Sequence, residues 1–234
     1  MEPGQTAPRL QAQDLGCHLP GHEEWLFRQL QLTIEPGARI AVLGPNGAGK
    51  TILLHALALL IGCDEGELLW RGSRVERARV PSFRAAVIYL HQTPVLSAGT
   101  VEENLRQPFE LRGHQDKRFD RDRLQQWFDR SGRSERLWEQ PAGELSGGER
   151  QVVALLRAMQ LDPAILLLDE PTAALDTATT RAIEDLVIGW QAACPDQRAY
   201  LWVSHSADQV ARIADRTLRL AEGRLQEAAV RDGR

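Results

Sequence analysis

Residues 44–51 read Gly44-Pro45-Asn46-Gly47-Ala48-Gly49-Lys50-Thr51, a G-x-x-x-x-G-K-T turn whose flanks confine the chain to a few architectures. Ahead of it, Arg39-Ile40-Ala41-Val42-Leu43 has the pattern of a short buried strand. Behind it, the Leu- and Ala-rich stretch Thr51 to Ile61 predicts a helix. A glycine-rich turn between strand and helix lets backbone N–H groups curl around an anion with no Cβ in the way. The helix N-terminus adds unpaired donors and partial positive charge. A lysine at position 50 reaches β- and γ-phosphates, and a hydroxyl at position 51 is placed to ligate Mg²⁺. The motif points to a nucleoside triphosphate, not to a reaction.

The 234 residues suffice for one domain with a subdomain. Strands are expected at 10–15, 25–34, 39–43, 68–70, 85–90, 164–168 and 200–204, alternating after the phosphate loop with helices at 51–61, 145–161, 177–191 and 207–213. That alternation predicts an α/β fold with a mostly parallel, doubly wound sheet, preceded by a small N-terminal β-layer. Residues 93–140 differ in character. They are rich in Arg, Gln, Asp and Glu, with apolar residues at helical spacing (Val101, Leu105; Leu124, Trp127, Phe128; Leu137, Trp138), and read as a helical insertion on the side of the sheet. Residues 112–123 are its linker, and Val80 to Arg84 a single helical turn. The chain closes with Arg216 to Leu220, Gly223 and an expected polar tail.

Net charge is −4 and the basic residues are scattered, which disfavours a nucleic-acid partner. Cys17, Cys63 and Cys194 are far apart in sequence and form no C-x-x-C, pointing to a reducing compartment and away from a disulfide or zinc framework. Residues 1–9 lack the basic-then-apolar order of a signal peptide. The longest apolar run, Ile52 to Cys63, is interrupted by His55 and is a core helix rather than a span. If the protein works at a membrane, another chain supplies the spanning helices.

In a doubly wound sheet, ligands sit at the carboxyl ends of the strands. Gln92, Asp169, Glu170 and His205 all stand there, on the edge that carries the phosphate loop. Singly each reads as an ordinary strand cap; four converging on one phosphate site do not. Asp169 fits the magnesium-holding carboxylate of phosphate-loop ATPases. Glu170 diverges from it and is assigned as general base for the attacking water. His205 is suited to hold the γ-phosphate and orient that water, and Gln92 to contact Mg²⁺ or the water. Leu145-Ser146-Gly147-Gly148-Glu149 opens a second helix with donors for an anion. One loop for ATP and a complementary second loop suggest a head-to-tail dimer, each Ser146 loop closing on the other chain's nucleotide.

Taken together these segments resemble the ATP-binding cassette of ABC transporters over nearly the whole chain, in the family's order and spacing. Gly44 to Thr51 matches Walker A, Gln92 the Q-loop, Leu145 to Gln151 the signature motif, Ile165 to Asp169 Walker B, and Glu170 the catalytic glutamate. Ala174-Leu175-Asp176 matches the D-loop and His205 the switch histidine. The resemblance implies a P-loop fold of the ABC type in a single domain, 1–234. A helical subdomain, 93–161, carries the signature residues Leu145 to Glu149 and Gln151. It also implies ATP hydrolysis with Mg²⁺ (Thr51, Gln92 and Asp169 as the metal-side residues), an ATP-sandwich dimer with Asp176 at its interface, and a cytoplasmic place at the inner face of the cell membrane. An integral membrane permease subunit would dock in a groove beside Gln92 and the helical insertion.

The family usually stacks adenine on an aromatic residue at the end of the first strand. Here Leu15-Gly16-Cys17-His18-Leu19 offers none, leaving His18 or a neighbour to substitute. Gln92-Thr93-Pro94, Gly99-Thr100-Val101, Asn104-Leu105 and Leu201 to His205 are similar to bacterial iron-export ATP-binding subunits, so iron or another metal is the expected cargo. A transporter ATPase for a non-metal substrate is an alternative. So is a soluble ABC ATPase acting on DNA or ribosomes, although the chain lacks the long coiled coil and the second cassette of such relatives. A phosphate-loop kinase would leave the Ser146 loop and His205 without a task.

Overall fold

The computed structural model describes residues 9–18, 21–114 and 116–228; positions 1–8, Leu19, Pro20, Gln115 and the tail 229–234, on which parts of the foregoing reading fall, lie outside it. Two sheets form the frame. β1 (Leu10–His18), β2 (Trp25–Ile34), β4 (Glu65–Trp70) and β5 (Ser73–Arg74) make an antiparallel layer in the order β2-β1-β4-β5. β3 (Arg39–Leu43), β6 (Val87–Leu90), β7 (Ile165–Asp169), β8 (Ala199–Val203), β9 (Arg216–Ala221) and β10 (Arg224–Glu227) make the central sheet, ordered β10-β9-β3-β8-β7-β6. Its strands run parallel except β10, which folds back antiparallel on β9.

Strands buried on both faces read as unbroken apolar runs, and successive side chains then serve different cores. On β7, Ile165 and Leu167 face one cluster with α1 (Lys50–Leu57) and the antiparallel layer. Leu166 and Leu168 face another with α3 (Val101–Arg106), α4 (Arg121–Arg130), α5 (Gly147–Met159) and α6 (Thr177–Ala192). β8 divides likewise, with Leu201 on the first side and Tyr200 and Trp202 on the second.

Element boundaries differ from expectation in several places: β1 runs on to His18 rather than Leu15, β4 starts at Glu65 rather than Leu68, and three others have a cause in the chain's own bonding. α1 stops at Leu57, not Ile61, because Leu59 turns left-handed (φ 55°) and the chain closes on Leu60 N–H to His55 O, 2.8 Å, and Leu59 N–H to Ala56 O, 3.0 Å. This is a Schellman cap without its usual glycine. α2 (Val80–Ala86) is longer than one turn and delays β6 to Val87. β10 stands where a polar tail was expected: its mostly exposed residues carry little apolar signal, and backbone pairing to β9 holds it.

Candidate functional site

The phosphate loop closes on its own backbone. Lys50 is buried, and its Nζ donates to the carbonyls of Gly44 (2.9 Å) and Pro45 (3.0 Å). Burial lowers its pKa, and the carboxylates of Glu170 and Asp169 partly restore it. Two glycines are required by contact. A Cβ on Gly44 would stand 2.2 Å from the Leu220 carbonyl oxygen. Gly49 caps α1 at φ 94°, with a Cβ position 2.8 Å from the Leu26 side chain. Asn46, Gly47, Gly49, Lys50, Thr51, Gln92 and Glu170 line one cleft of about 500 Å³, while Ala48 faces the neighbouring groove along β2.

Asp169 ends β7 buried, its Oδ2 accepting from Thr51 Oγ1 (2.8 Å) and from the Tyr89 hydroxyl (2.9 Å). A hydroxyl and a carboxylate this close are the hard oxygen donors that Mg²⁺ takes, so the pair fits the cation. Glu170 points elsewhere. Its Oε1 is hydrogen-bonded to His205 Nε2, and its Oε2 accepts from Gln92 Nε2 at 3.4 Å. Glu170 adopts φ 46° and Ala174 φ 60°, left-handed for both, so a tight strained turn aims the carboxylate. His205 follows β8 and is held through its neighbours. Ser204 Oγ donates to Gln209 Oε1 (2.7 Å), and Gln209 Nε2 donates to Thr172 Oγ1 (2.9 Å) and Glu184 Oε1 (2.9 Å). Gln209 lies on α7 (Ala207–Ile213) and so ties the histidine's strand end to the segment after Glu170.

Residues 145–151 contribute nothing to this chain's own phosphate cleft. Leu145 is buried beneath the N-terminus of α5, and Gln151 is buried within the helix. Ser146 caps α5 reciprocally: Glu149 Oε2 accepts from both the Ser146 amide (2.9 Å) and hydroxyl (2.7 Å). These bonds hold the Glu149 carboxyl below its ordinary pKa. The exposed Gly147 packs on nothing, whereas a Cβ on Gly148 would press on Thr179 at 3.1 Å. Asp176 caps α6, accepting from the Thr179 amide (2.9 Å) and hydroxyl (2.7 Å), which lowers its pKa.

The ABC transporter family matches residues 27–173. The chain belongs to the ABC transporter ATP-binding cassettes. It is 32% identical over 226 residues to the probable iron export ATP-binding protein FetA of Escherichia coli K12, across 96% of this chain and 97% of that one. The thiamine import ATP-binding protein ThiQ of Shigella flexneri is 36% identical over 211 residues, 86% of each chain. Among solved structures, a dimeric ATP-binding cassette in a post-hydrolysis state bound to ADP and Pi overlays with a TM-score of 0.79 at 24% identity, over 96% of this cassette and 100% of that chain. The cassette binds ATP and is an ATPase.

Several cassette residues around the site were not singled out by sequence reasoning. Tyr89 holds Asp169, and its hydroxyl pKa is raised first by burial and then by that carboxylate. His55 packs edge-on to Tyr89 (4.8 Å between centroids), and its buried Nε2 has no partner. Burial, then His91, depresses its pKa, which Asp169 opposes. Tyr89 sits three residues before Gln92 in a run legible only as a buried strand, so nothing in the pattern marked its hydroxyl. His18 lies against Trp25 (3.8 Å between centroids, 30° between planes) and is tethered to Asp64. Trp25, not His18, lines the groove beside Gly47 and Ala48. Among the described residues, no helix is long and apolar enough to cross a membrane.

Proposed function

We propose that this cassette is the engine of an ABC transporter that exports iron or another metal, working as a head-to-tail dimer with Mg²⁺–ATP at the shared faces. The observation that carries the hydrolytic reading is the convergence on Glu170, whose two oxygens meet His205 and Gln92 beside the Lys50–Thr51–Asp169 cluster. In this reading Lys50 and the backbone N–H groups of the 44–51 loop other than Pro45 hold the β- and γ-phosphates, and Thr51 and Asp169 take Mg²⁺, which neutralises phosphate charge when bound. Glu170 accepts the proton of the attacking water, and His205 fixes the geometry of both. The signature loop and Asp176 act on the partner's nucleotide. For that task Ser146 must give up Glu149, which occupies its amide and hydroxyl in the free chain.

Residues 93–161 form the transmission unit. A groove of about 490 Å³ between β6, the segment around Leu111 and α5 supports docking of a permease helix. Its apolar wall includes Leu111, 60% exposed, and Val95, 80% exposed, stands free. This would hold the cassette at the cytoplasmic face of the cell membrane. Metal as cargo is supported by the similarity to FetA along nearly the whole chain.

Glu170→Gln tests the engine: the variant should bind ATP, hydrolyse it about 10²–10⁴ times more slowly and accumulate as a dimer with its permease present. A monomer at saturating Mg²⁺–ATP overturns the sandwich. Cellular metal content tests the cargo. Deletion should raise retained iron or another metal, and unchanged content of every metal measured removes the metal assignment while leaving the engine intact.

A further inference from the structure

The sequence places Cys17 and Cys63 on either side of the phosphate loop and α1. The fold brings their sulfurs to 3.2 Å, with Cys17 donating to Cys63. The approach is built into the backbone. β1 pairs with β4 through a register shift between Gln13 and Gly16, after which Gly16 faces Glu65 and the Asp64 amide donates to the Gly16 carbonyl at 2.8 Å. The His18 amide adds a bond to the Asp64 carboxylate (2.9 Å), so the residues on either side of Cys17 are both tied to the residue that follows Cys63. Both thiols are free. Among the described residues no third His, Cys, Asp or Glu completes a metal site around them, and two thiols alone fall short of the four ligands of structural zinc.

We infer that Cys17 and Cys63 form a peroxide-reactive dithiol site that closes to an intramolecular disulfide. Cys17 is buried and Cys63 half-buried, so an oxidant meets Cys63 first. The Cys17 S–H bond favours the Cys63 thiolate, while Cys17 itself is pushed up by donating that bond and by burial. The Cys63 thiolate attacks one peroxide oxygen, the O–O bond breaks, and the departing hydroxide leaves as water with the proton that Cys63 released. Cys63 is then a sulfenic acid. Cys17 sulfur attacks Cys63 sulfur, the S–O bond breaks, and a second water leaves with the Cys17 proton. Two thiols have lost two electrons to one peroxide. The bond joins the end of β1 to the segment after α1, covalently closing the chain around the whole phosphate loop.

The test treats the reduced, full-length cassette with one equivalent of hydrogen peroxide under anaerobic conditions. Titratable thiols in denaturant should fall from three to one. A non-reducing peptide map should show the Cys17 and Cys63 peptides joined, with Cys194 still alkylated, and dithiothreitol should restore all three thiols. Cys17→Ser should trap Cys63 as a dimedone adduct; Cys63→Ser should leave Cys17 unreactive over the same interval. Four outcomes overturn the inference: no loss of thiols, Cys194 reacting as fast as Cys63, Cys63 running to sulfinic acid without a cross-link, or cross-links between chains. The wild-type map decides the matter even if a variant fails to fold.

Discussion

Gln209 touches no residue of the phosphate loop, yet it joins the two strand ends that carry Glu170 and His205. Replacing it by Leu keeps its approximate volume and removes three side-chain bonds, to Ser204 (2.7 Å), Thr172 (2.9 Å) and Glu184 (2.9 Å). Ser204 is buried, and its hydroxyl proton loses its only acceptor at a cost of about 1–2 kcal/mol, while its oxygen still accepts from the Ser206 amide (3.0 Å). Glu184, 2% exposed, loses one charged-group bond but keeps two from Arg212 (2.7 and 2.9 Å), so its share is about 1–2 kcal/mol. Thr172 is half-buried and finds water. The expected loss is about 2–4 kcal/mol, a lowering of the melting midpoint by about 5–15 °C for a chain of this length. With the two strand ends uncoupled, kcat should fall at least about tenfold, equivalent to about 1.4 kcal/mol of barrier. The dissociation constant for ATP should not move. Calorimetric unfolding, ATP binding to the isolated cassette and steady-state ATPase well below the variant's midpoint are the assays. An unchanged kcat with the midpoint lowered would make Gln209 a purely structural residue. A lost ATP affinity with normal kcat would refute the reasoning outright.

Other perturbations separate the roles. Lys50→Ala should abolish nucleotide binding itself, read by equilibrium dialysis, because it removes the charge that the loop carbonyls hold in place. Tyr89→Phe deletes only the hydroxyl on Asp169 and should raise the Mg²⁺ concentration needed for half-saturation several-fold, measured with Mn²⁺ by electron paramagnetic resonance in the presence of ATP; unchanged metal affinity removes Tyr89 from that role. Trp25→Ala should weaken ATP binding more than His18→Ala, since the indole faces the groove; the reverse order would return adenine stacking to His18. Burial raises the Glu184 pKa, but the bonds from Arg212 and Gln209 outweigh it and hold the folded value below normal. Its stabilisation is therefore full above the unfolded carboxylate value of about 4.3 and lost as pH falls through the lower folded value. Glu184→Gln should flatten the acid limb of the stability profile.

The phosphate loop, the buried strands and the residues at their ends were legible because each rests on local chemistry: glycines where N–H groups must converge, apolar runs where both faces are covered, polar residues where a strand leaves the core. What stayed hidden depends on register and on neighbours distant in sequence. Cys17 and Cys63 look unrelated until the bulges of β1 bring them together. Leu59 ends α1 in a conformation that the sequence signals through no glycine, and β10 is held by pairing with β9 rather than by pattern. The signature serine reads as an anion donor, and in the free chain the same donors are taken by Glu149 three residues on, a competition that spacing alone leaves undecided.

The alternation of side chains across the central sheet also partitions the chain's light. Of its six tryptophans, Trp127, Trp138, Trp190 and Trp202 belong to the helical side, while Trp70 packs on the opposite cluster and Trp25 borders the groove beside Gly47 and Ala48. Emission followed through denaturation is thus weighted toward the helical layer. A single-tryptophan variant retaining Trp25, its neighbours replaced by Phe, would convert the same signal into an optical gauge of nucleotide arrival, and one retaining Trp202 would watch the two layers part.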